Sequence, residues 1–126
     1  MPSRRNKLAG GLLALALAAG LTGCQSVQPT AFPVGTRHPA PKPPQAVIQF
    51  FQDTKPARHY EVVAKLNVHF EKTFFIPTSM DEARPQLEKL AREQGADALI
   101  DIVEKKSRLN ETFIYNVTAN AVVFTN

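Results

Sequence analysis

The single cysteine of the chain, Cys24, ends an apolar run behind a basic N-terminus, and this arrangement limits what the rest can fold into. Three cations within the first seven residues precede residues 8–21, which are nearly all Leu, Ala and Gly. A charged start, a short apolar middle and small residues at the end are typical of a secretory signal peptide. We therefore predict that residues 1–23 are removed. The remaining chain must then build its core without an internal disulfide.

The four residues Leu21-Thr22-Gly23-Cys24 resemble the lipobox of bacterial lipoproteins. In that family the cysteine thiol carries diacylglycerol, the chain is cut just before it, and the new amine is usually acylated as well. The resemblance implies that Cys24 is lipidated and begins the mature protein, held in a membrane by acyl chains whose methylenes each contribute about 0.8 kcal/mol. An Asp in the next position often signals inner-membrane retention in that family. Gln25 stands there instead, which implies an anchor in the cell outer membrane with the protein facing the periplasm.

The charge balance of the mature chain argues against binding to nucleic acid. The whole chain has 15 Lys and Arg residues against 11 Asp and Glu residues. Three of these cations lie in the predicted signal peptide, so the mature chain keeps 12 cations against the same 11 carboxylates. Because so small a net charge creates no strong attractive field, we expect no nucleic acid partner. Contact with a membrane is expected through the lipid on Cys24.

Residues 24–45 are predicted to be the lipidated cysteine followed by a proline-rich tether. Residues 25–45 contain six prolines, which disfavour a helix or a central strand: Pro29, Pro33, Pro39, Pro41, Pro43 and Pro44. Such a segment favours the extended polyproline II conformation and reaches about 65 Å when fully extended. The tether is interpreted either as a passive spacer or as a segment that docks on a partner.

Residues 46–126 are predicted to form one small domain. Residues 47–52 are a short apolar strand candidate. Along residues 60–71 apolar and polar side chains alternate, and one face carries Tyr60, Val62, Ala64, Leu66, Val68 and Phe70. Alternation with period two over this length is typical of a strand that is buried on one face and wet on the other.

A helix is predicted over residues 80–94. Ser79 and Glu82 fit a capping box, in which the Ser hydroxyl accepts a backbone N–H and the Glu side chain reaches back. Pro85 removes one hydrogen bond inside this helix, so its first turn is expected to be disturbed. Gly95 fits the position after the helix end, where a left-handed conformation stops the helix. One helical face carries Ala83, Leu87, Leu90, Ala91 and Gln94.

Two further strands are predicted over residues 98–106 and 112–125, with a polar turn between them. The element order is then β-β-α-β-β. One helix can cover only one face of a sheet, in agreement with the one-sided alternation. The predicted fold class is therefore α+β, a small two-layer domain with one helix packed on a four-stranded sheet.

Residues 87–102, LEKLAREQGADALIDI, join a helix to a strand through Gly95, Ala96, Asp97 and Ala98. This run resembles the small β-β-α-β-β domains of the YbjQ-like family and of the RcsF-type outer-membrane stress-sensor lipoproteins. The sensor proteins also have a lipobox and a proline-rich tether, but their folded part carries disulfides, whereas this chain has no cysteine there. The resemblance therefore implies a lipoprotein with a related fold.

Few side chains are candidates for catalysis or metal binding, and their spacing in the sequence is typical of neither. Asp97 is expected to hydrogen-bond backbone in the turn between helix and strand. Asp101 and Glu104 are three residues apart and should point to opposite faces of a strand, which argues against a catalytic carboxylate pair. No metal-ligand spacing such as H-x-x-x-H links the histidines, which are His38, His59 and His69. We predict no catalytic residue, no cofactor-binding residue and no metal ligand, and hence no enzyme.

Two apolar stretches are candidate contact surfaces for a partner. The run Phe74-Phe75-Ile76 is interpreted either as core packing beneath the helix or as an exposed patch. A sheet face with apolar residues among polar ones is the second candidate, carrying Val63, Val122 and Phe124. Exposed strand edges are also able to pair with another chain.

The predicted function is that of an outer-membrane-anchored periplasmic lipoprotein that acts as a non-catalytic interaction or envelope-stress-sensing module. It would contact the membrane through Cys24 and an envelope protein through its folded part. The alternative is a self-assembling structural lipoprotein domain that forms a homo-oligomer, which the small disulfide-free core and the YbjQ-like resemblance suggest.

Overall fold

A computed structural model describes residues 25–73 and 78–126, which form a sheet covered on one side by a helix. The predicted signal peptide, Cys24 and the run Phe74-Phe75-Ile76 lie outside the described residues. The elements are β1 (Gln25–Pro33), β2 (Gln49–Phe50), β3 (Tyr60–Thr73), α1 (Met80–Glu93), β4 (Ala98–Leu109) and β5 (Thr112–Phe124). The predicted α+β class is confirmed.

The five strands form one mixed sheet in the order β1-β3-β5-β4-β2. β1 pairs antiparallel with β3, and β5 pairs antiparallel with both β3 and β4. β2 pairs parallel with β4 over two residues only. Since β3 and β4 are both antiparallel to β5, they run in the same direction, and α1 joins the end of β3 to the start of β4.

β1 corrects the prediction of a tether and the strand count. Its nine residues pair with β3 from Gln25 opposite Lys72 to Pro33 opposite Ala64. Pro29 and Pro33 are compatible with this pairing because β1 lies at the edge of the sheet, where prolines are tolerated. The prolines disfavour a helix or a central strand, but they do not exclude an edge strand such as β1. The sheet of the described residues therefore has five strands, where four were predicted.

The next segment, residues 34–46, also packs on the domain, and we call it the strap. The Val34 N–H donates to the Val63 carbonyl at 2.9 Å, and the Lys42 N–H donates to the Arg92 carbonyl at 2.8 Å. Arg92 in turn donates from Nε to the Ala46 carbonyl at 2.7 Å. The strap is thus tied to the C-terminal turn of α1 and is not an extended spacer in this structure.

The main core lies between α1 and the sheet. Phe70 and Tyr115 pack with their ring centroids 5.8 Å apart, and Leu87 of α1 is fully buried. The residues of β5 that lie in this main core alternate along the strand, and they are Tyr115, Val117, Ala119, Ala121 and Val123. Their burial removes a continuous apolar surface from water, which is the main favourable term in folding.

A bulge in β3 changes which residues reach that core. The pairing with β5 shifts between Val62 and Ala64, so Val63 and Ala64 are both buried in the main cluster. Tyr60 and Val62 pack on the other side with Val122. A bulge adds one residue and so inverts the alternation before it. The prediction that Tyr60 and Val62 share the core face was therefore wrong, as was the patch that joined Val63 to Val122.

That other side holds a second, smaller cluster near the start of β3. Ala98, Ile100 and Val122 are buried in it. Partly buried side chains surround them: Phe51, Tyr60, Val62 and Phe124. The guanidinium of Arg58 lies 4.3 Å from the ring centroid of Phe124. Val122 and Phe124 are thus packed beneath the loop of residues 51–59 and do not form the exposed patch that the sequence suggested.

The helix prediction is confirmed to within one residue, but its N-terminal cap differs. The Glu82 and Ala83 N–H groups donate to the main-chain carbonyl of Ser79 at 3.1 and 3.3 Å, and the Ser79 side chain makes no capping bond. The Glu82 carboxylate instead pairs with Lys72, which is only 2% exposed. The prediction of a capping box was wrong. Burying the ammonium group of Lys72 without this carboxylate would cost more free energy than leaving the helix end without its side-chain cap.

The end of α1 follows the prediction. Gly95 has φ +70°, the Gly95 N–H donates to the Arg92 carbonyl at 3.0 Å, and the Ala96 N–H donates to the Ala91 carbonyl at 2.9 Å. These two bonds form a Schellman motif. A Cβ atom at Gly95 would lie 2.5 Å from the carbonyl oxygen of Ala40, so the strap passes directly over the glycine.

Candidate functional site

The sheet face opposite α1 carries a band of polar side chains, which we call the open face. Its members alternate along the strands with the buried residues of the main core. The register places the following side chains across four strands: Gln28, Thr30 and Phe32; Lys65, Asn67 and His69; Asn116, Thr118 and Asn120; Val103 and Lys105. Amides, hydroxyls and amines dominate, so this face is suited to hydrogen bonding rather than to apolar burial.

A groove of about 360 Å³ lies within the open face. Its polar lining includes Lys65, Asn67, Thr118 and Asn120, and Phe32, which is 64% exposed, forms one side. These groups offer donors, acceptors and one aromatic surface within a small area. The groove can therefore bind a polar partner that also has an apolar group to place against the ring.

Asp101 enters this groove because of a second bulge. The pairing of β4 with β5 shifts between Ile100 and Val103, and Asp101 has φ +51°, a left-handed conformation that is uncommon outside glycine. Its carboxylate accepts a bond from Asn120 Nδ2 at 3.0 Å and lies 3.7 Å from Lys55 Nζ. The bulge thus adds a negative charge to a groove that Lys65 also lines.

His69 is held between two acceptors on the same face. Its Nδ1 lies 2.7 Å from Asn116 Oδ1, and its Nε2 lies 2.9 Å from Glu71 Oε1. Both contacts favour N–H donors on the ring, and only the protonated imidazolium has two. The hydrogen bond to Glu71, helped by the one to Asn116, raises the pKa of His69 above 6.5. His69 therefore lies on the polar face of β3, opposite Asn116.

The two carboxylates of β4 do not form a pair. Asp101 contacts Asn120 on the open face, whereas Glu104 accepts a hydrogen bond from the hydroxyl of Tyr115, a main-core residue. Burial, with the neighbouring Glu104 carboxylate, raises the pKa of Tyr115 well above its usual range. The phenol therefore stays protonated and acts as a donor. The prediction that Asp101 and Glu104 point to opposite faces is confirmed.

Asp97 hydrogen-bonds a backbone group as the sequence suggested, but that group belongs to β5 and not to the turn between α1 and β4. Its Oδ2 accepts the Phe124 N–H at 2.8 Å, and its other oxygen pairs with Lys42 of the strap. Burial works to raise the pKa of this carboxyl, but the bonds from Lys42 and from the Phe124 N–H outweigh it and leave the pKa below its usual range. Asp97 therefore joins the strap to β5 as a carboxylate.

The remaining candidates are not gathered into a site. His38 and His59 are both exposed, one in the strap and one in the loop before β3. Among residues 25–73 and 78–126, no three His, Cys, Asp or Glu side chains are grouped closely enough to hold a metal ion. In the same part of the chain, no helix is long and apolar enough to cross a membrane.

Lipidation of Cys24 stays a prediction, because this residue precedes the first described one. The structure does give the position of its neighbour, since Gln25 is the first residue of β1 and lies opposite Lys72. Consecutive Cα atoms are 3.8 Å apart, so Cys24 is joined directly to the folded sheet.

The tip of the β4–β5 hairpin projects from this same end of the sheet. Leu109, the last residue of β4, is 65% exposed. Lys106 and Arg108 lie over aromatic rings, at 5.5 Å from the centroid of Tyr115 and 5.4 Å from that of Phe113. Asn110 follows with φ +55° and turns the chain into β5. The tip is thus an ordered hairpin with a basic and partly apolar surface.

Comparison with known proteins identifies a shared fold. No family model matches the sequence, and no curated protein matches it either. The crystal structure of FvfA, a Francisella virulence factor, in its orthorhombic form is similar, with a TM-score of 0.54 and 13% sequence identity. The match covers 76% of this chain and 97% of that one. At this identity the likeness establishes the fold alone.

The groove was not predicted from the sequence, although part of its signal is present there. Polar residues alternate along β3 and β5, and these residues line the groove in the structure. Their pairing register and the bulge at Asp101 depend on tertiary contacts, so neither could be read from spacing. Phe32 lies within residues 24–45, for which a tether is predicted, so no sequence pattern places it on a folded surface.

Proposed function

We propose that this chain is a lipoprotein anchored through Cys24 in the cell outer membrane and that its folded part, facing the periplasm, is a non-catalytic interaction or envelope-stress-sensing module. The observation that carries the proposal is the sequence before the fold: a basic start, an apolar run and Leu21-Thr22-Gly23-Cys24. The proposal assigns no catalytic, cofactor-binding or metal-binding residue.

The open face supports the interaction role. One face of the sheet packs on α1, while the other presents amides and hydroxyls around the groove that contains Asn67 and Asp101. A polar face of this kind forms direct and water-mediated hydrogen bonds with a partner, which give specificity. Phe32 adds an exposed aromatic side chain of the type that anchors protein contacts.

The anchor is tested by mass spectrometry and by metabolic labelling with palmitate. We expect the mature N-terminal peptide to carry diacylglycerol on Cys24, and a Cys24→Ser variant to lose the label and remain in precursor form. A Cys24→Ser variant that is labelled as strongly as the parent would contradict the proposal.

The interaction role is tested with a photo-crosslinking residue placed at Thr118, an exposed position of the open face. The matched control places the same residue at Lys89, an exposed position of α1. In intact cells we expect one defined envelope protein to be trapped from Thr118 and not from Lys89, and the yield to fall when Phe32 is also replaced by Ala. Equal products from both positions, or none from Thr118, would contradict it.

The alternative is a self-assembling structural lipoprotein, and one observation favours it. β2 pairs with β4 at Ala98 and Leu99 only, so the described strands leave the outer edge of β4 beyond them without a partner. Val103 and Leu109, on that stretch, are 56% and 65% exposed. A second copy pairing along this edge would extend the sheet.

A further inference from the structure

The position of β1 has a consequence for how the domain meets the membrane, provided that Cys24 is lipidated as proposed above. β1 starts one residue after Cys24, and the register runs across the sheet from Gln25 to Lys72, Phe113 and Arg108. Neighbouring strands are about 4.8 Å apart, so the three steps from β1 to β4 span about 14 Å. A lipid attached to Cys24 would therefore bring the whole of this sheet end to the bilayer surface.

The surface at this end has the chemistry of a membrane contact. Lys105, Lys106 and Arg108 are exposed on β4, and Leu109 extends beyond them. Four carboxylates lie nearby. Glu104 accepts a hydrogen bond from the hydroxyl of Tyr115, Glu71 pairs with His69, and Glu82 pairs with Lys72. The fourth is Glu111 at the turn. At this strand end Lys105 and Leu109 lie on the side of the open face, whereas Lys106 and Arg108 lie on the side of α1. The end of β4 therefore presents cations on both sides of an exposed leucine, and most of the nearby carboxylates have a partner.

We propose that the end of β4, residues 105–109, lies against the anionic headgroups of the leaflet that holds the lipid, with Leu109 at headgroup depth. A basic and partly apolar segment held close to a bilayer binds anionic lipid by charge attraction and apolar contact together. The anchor keeps the hairpin at a high effective concentration near the surface, so a weak contact is sufficient. The hairpin is then the part of the domain nearest the membrane, and the groove around Asp101 lies farther from the headgroups.

The test uses the mature lipidated protein reconstituted in vesicles. Leu109→Cys supplies the only free thiol, because the sulfur of Cys24 is in a thioether, and it is labelled with a small fluorophore. The matched control is Thr54→Cys in the loop of residues 51–59, near Asp101. Asp101 and Leu109 are eight residue steps apart along β4, a distance of about 27 Å. A headgroup-linked nitroxide quenches the fluorophore only when the two are close.

In vesicles of phosphatidylcholine and phosphatidylglycerol, we expect severalfold stronger quenching at position 109 than at position 54. The difference should fall when Lys105, Lys106 and Arg108 are replaced by Ser, and also in about 1 M salt, where the screening length is about 3 Å. Equal quenching at both positions would overturn the inference. So would quenching that is unchanged in vesicles of phosphatidylcholine alone, because the charge contact would then have no role.

Failure of the hairpin contact can be distinguished from failure of the proposed lipid anchor. Mass spectrometry of the same preparation reports whether Cys24 carries lipid. A chain without lipid on Cys24 refutes the proposed anchor and, with it, the basis of this inference. A lipidated chain with equal quenching refutes the hairpin contact alone. Urea unfolding of the triple Ser variant, compared with the parent, checks that the fold is retained.

Discussion

At the scale of single residues, Gly95 shows how the strap constrains the helix end. The residue is left-handed, and the carbonyl oxygens of Pro39 and Ala40 lie 2.8 and 2.5 Å from where a Cβ atom would be. A side chain there would be strained in conformation and would also collide with backbone. Glycine is therefore favoured here for two reasons: the Schellman motif requires a left-handed residue, and the strap leaves no room for a Cβ atom.

We expect Gly95→Ala to lower the free energy of unfolding by about 1 to 3 kcal/mol, measured by urea denaturation. Gly35→Ala is the matched control, because Gly35 has φ +72° but its nearest neighbour to a Cβ atom is 3.8 Å away. The control carries the same conformational strain without the collision, so its loss should be smaller. Equal losses would mean that the strap does not pack on Gly95.

His69 makes the open face sensitive to pH. Because its pKa is raised above 6.5 in the folded chain, the stability it contributes is present in full below pH 6.5. That contribution is lost as the pH rises through the folded-state pKa. We expect unfolding experiments across this range to show the loss.

Glu71→Gln should lower the pKa of His69 in an NMR titration of the ring, because the bond to Glu71 is the main cause of the shift. The control is Glu61→Gln on the same strand, since Glu61 pairs with Arg37 and not with the histidine. A His69 pKa that is the same in the Glu71→Gln variant as in the parent would contradict this account.

At the scale of the elements, β1 is the strand that could not be predicted from the sequence. Val27, Pro29 and Ala31 alternate with Ser26, Gln28 and Thr30, but the strand belongs to a segment with six prolines. Local composition favours an extended spacer, whereas in the folded chain the backbone groups of β1 that face β3 are satisfied by pairing with it. The prolines also blunt this sheet edge against pairing with another chain.

Two substitutions in β1 distinguish a docked strand from a spacer. Ala31 packs against the main core, whereas Thr30 is exposed on the open face. We expect Ala31→Asp to lower the free energy of unfolding by about 1 to 3 kcal/mol, because a charged group would be placed against apolar side chains. Thr30→Asp, the control, should have a small effect. Two equally small effects in urea denaturation would show that residues 25–33 do not pair with β3.

At the scale of the whole molecule, the sheet edges bear on the choice between the two proposed functions. The outer edge of β1 carries prolines, and β4 carries Glu104, Lys105, Lys106 and Arg108 beyond its contact with β2. Both features oppose pairing of edges between copies. The exposed edge of β4 is therefore better suited to water or headgroups than to a second copy of this chain.

We predict that the mature chain with Cys24→Ser, which lacks the lipid, sediments as a monomer over a wide concentration range. Its edge charges should prevent association. As a matched comparison, the same chain with Lys105 and Lys106 also replaced by Thr should associate more readily, because its edge is uncharged there. A concentration-dependent dimer of the Cys24→Ser chain would instead favour the self-assembling alternative.

Much of the fold could be predicted because it follows from local periodicity. The alternation in β5 marks its buried face, the apolar stripe and Gly95 delimit α1, and the spacing of Asp101 and Glu104 separates them. The groove could not be predicted, since it needs Phe32, Asn67 and Asp101 from three strands. The capping box failed for a related reason: the ammonium group of Lys72, ten residues away, takes the carboxylate of Glu82.

The sequence by itself determined the helix, the alternating strands and a core without disulfides, because each depends on residues only a few positions apart. The tertiary structure alone decided that residues 25–33 are a strand, that Val63 is buried and that Asp101 enters the open face. These outcomes depend on pairing between distant segments, such as Gln25 with Lys72, and on bulges that invert the alternation. The free energy of pairing two strands depends on the residues of both strands, so the sequence pattern of one strand alone does not predict it.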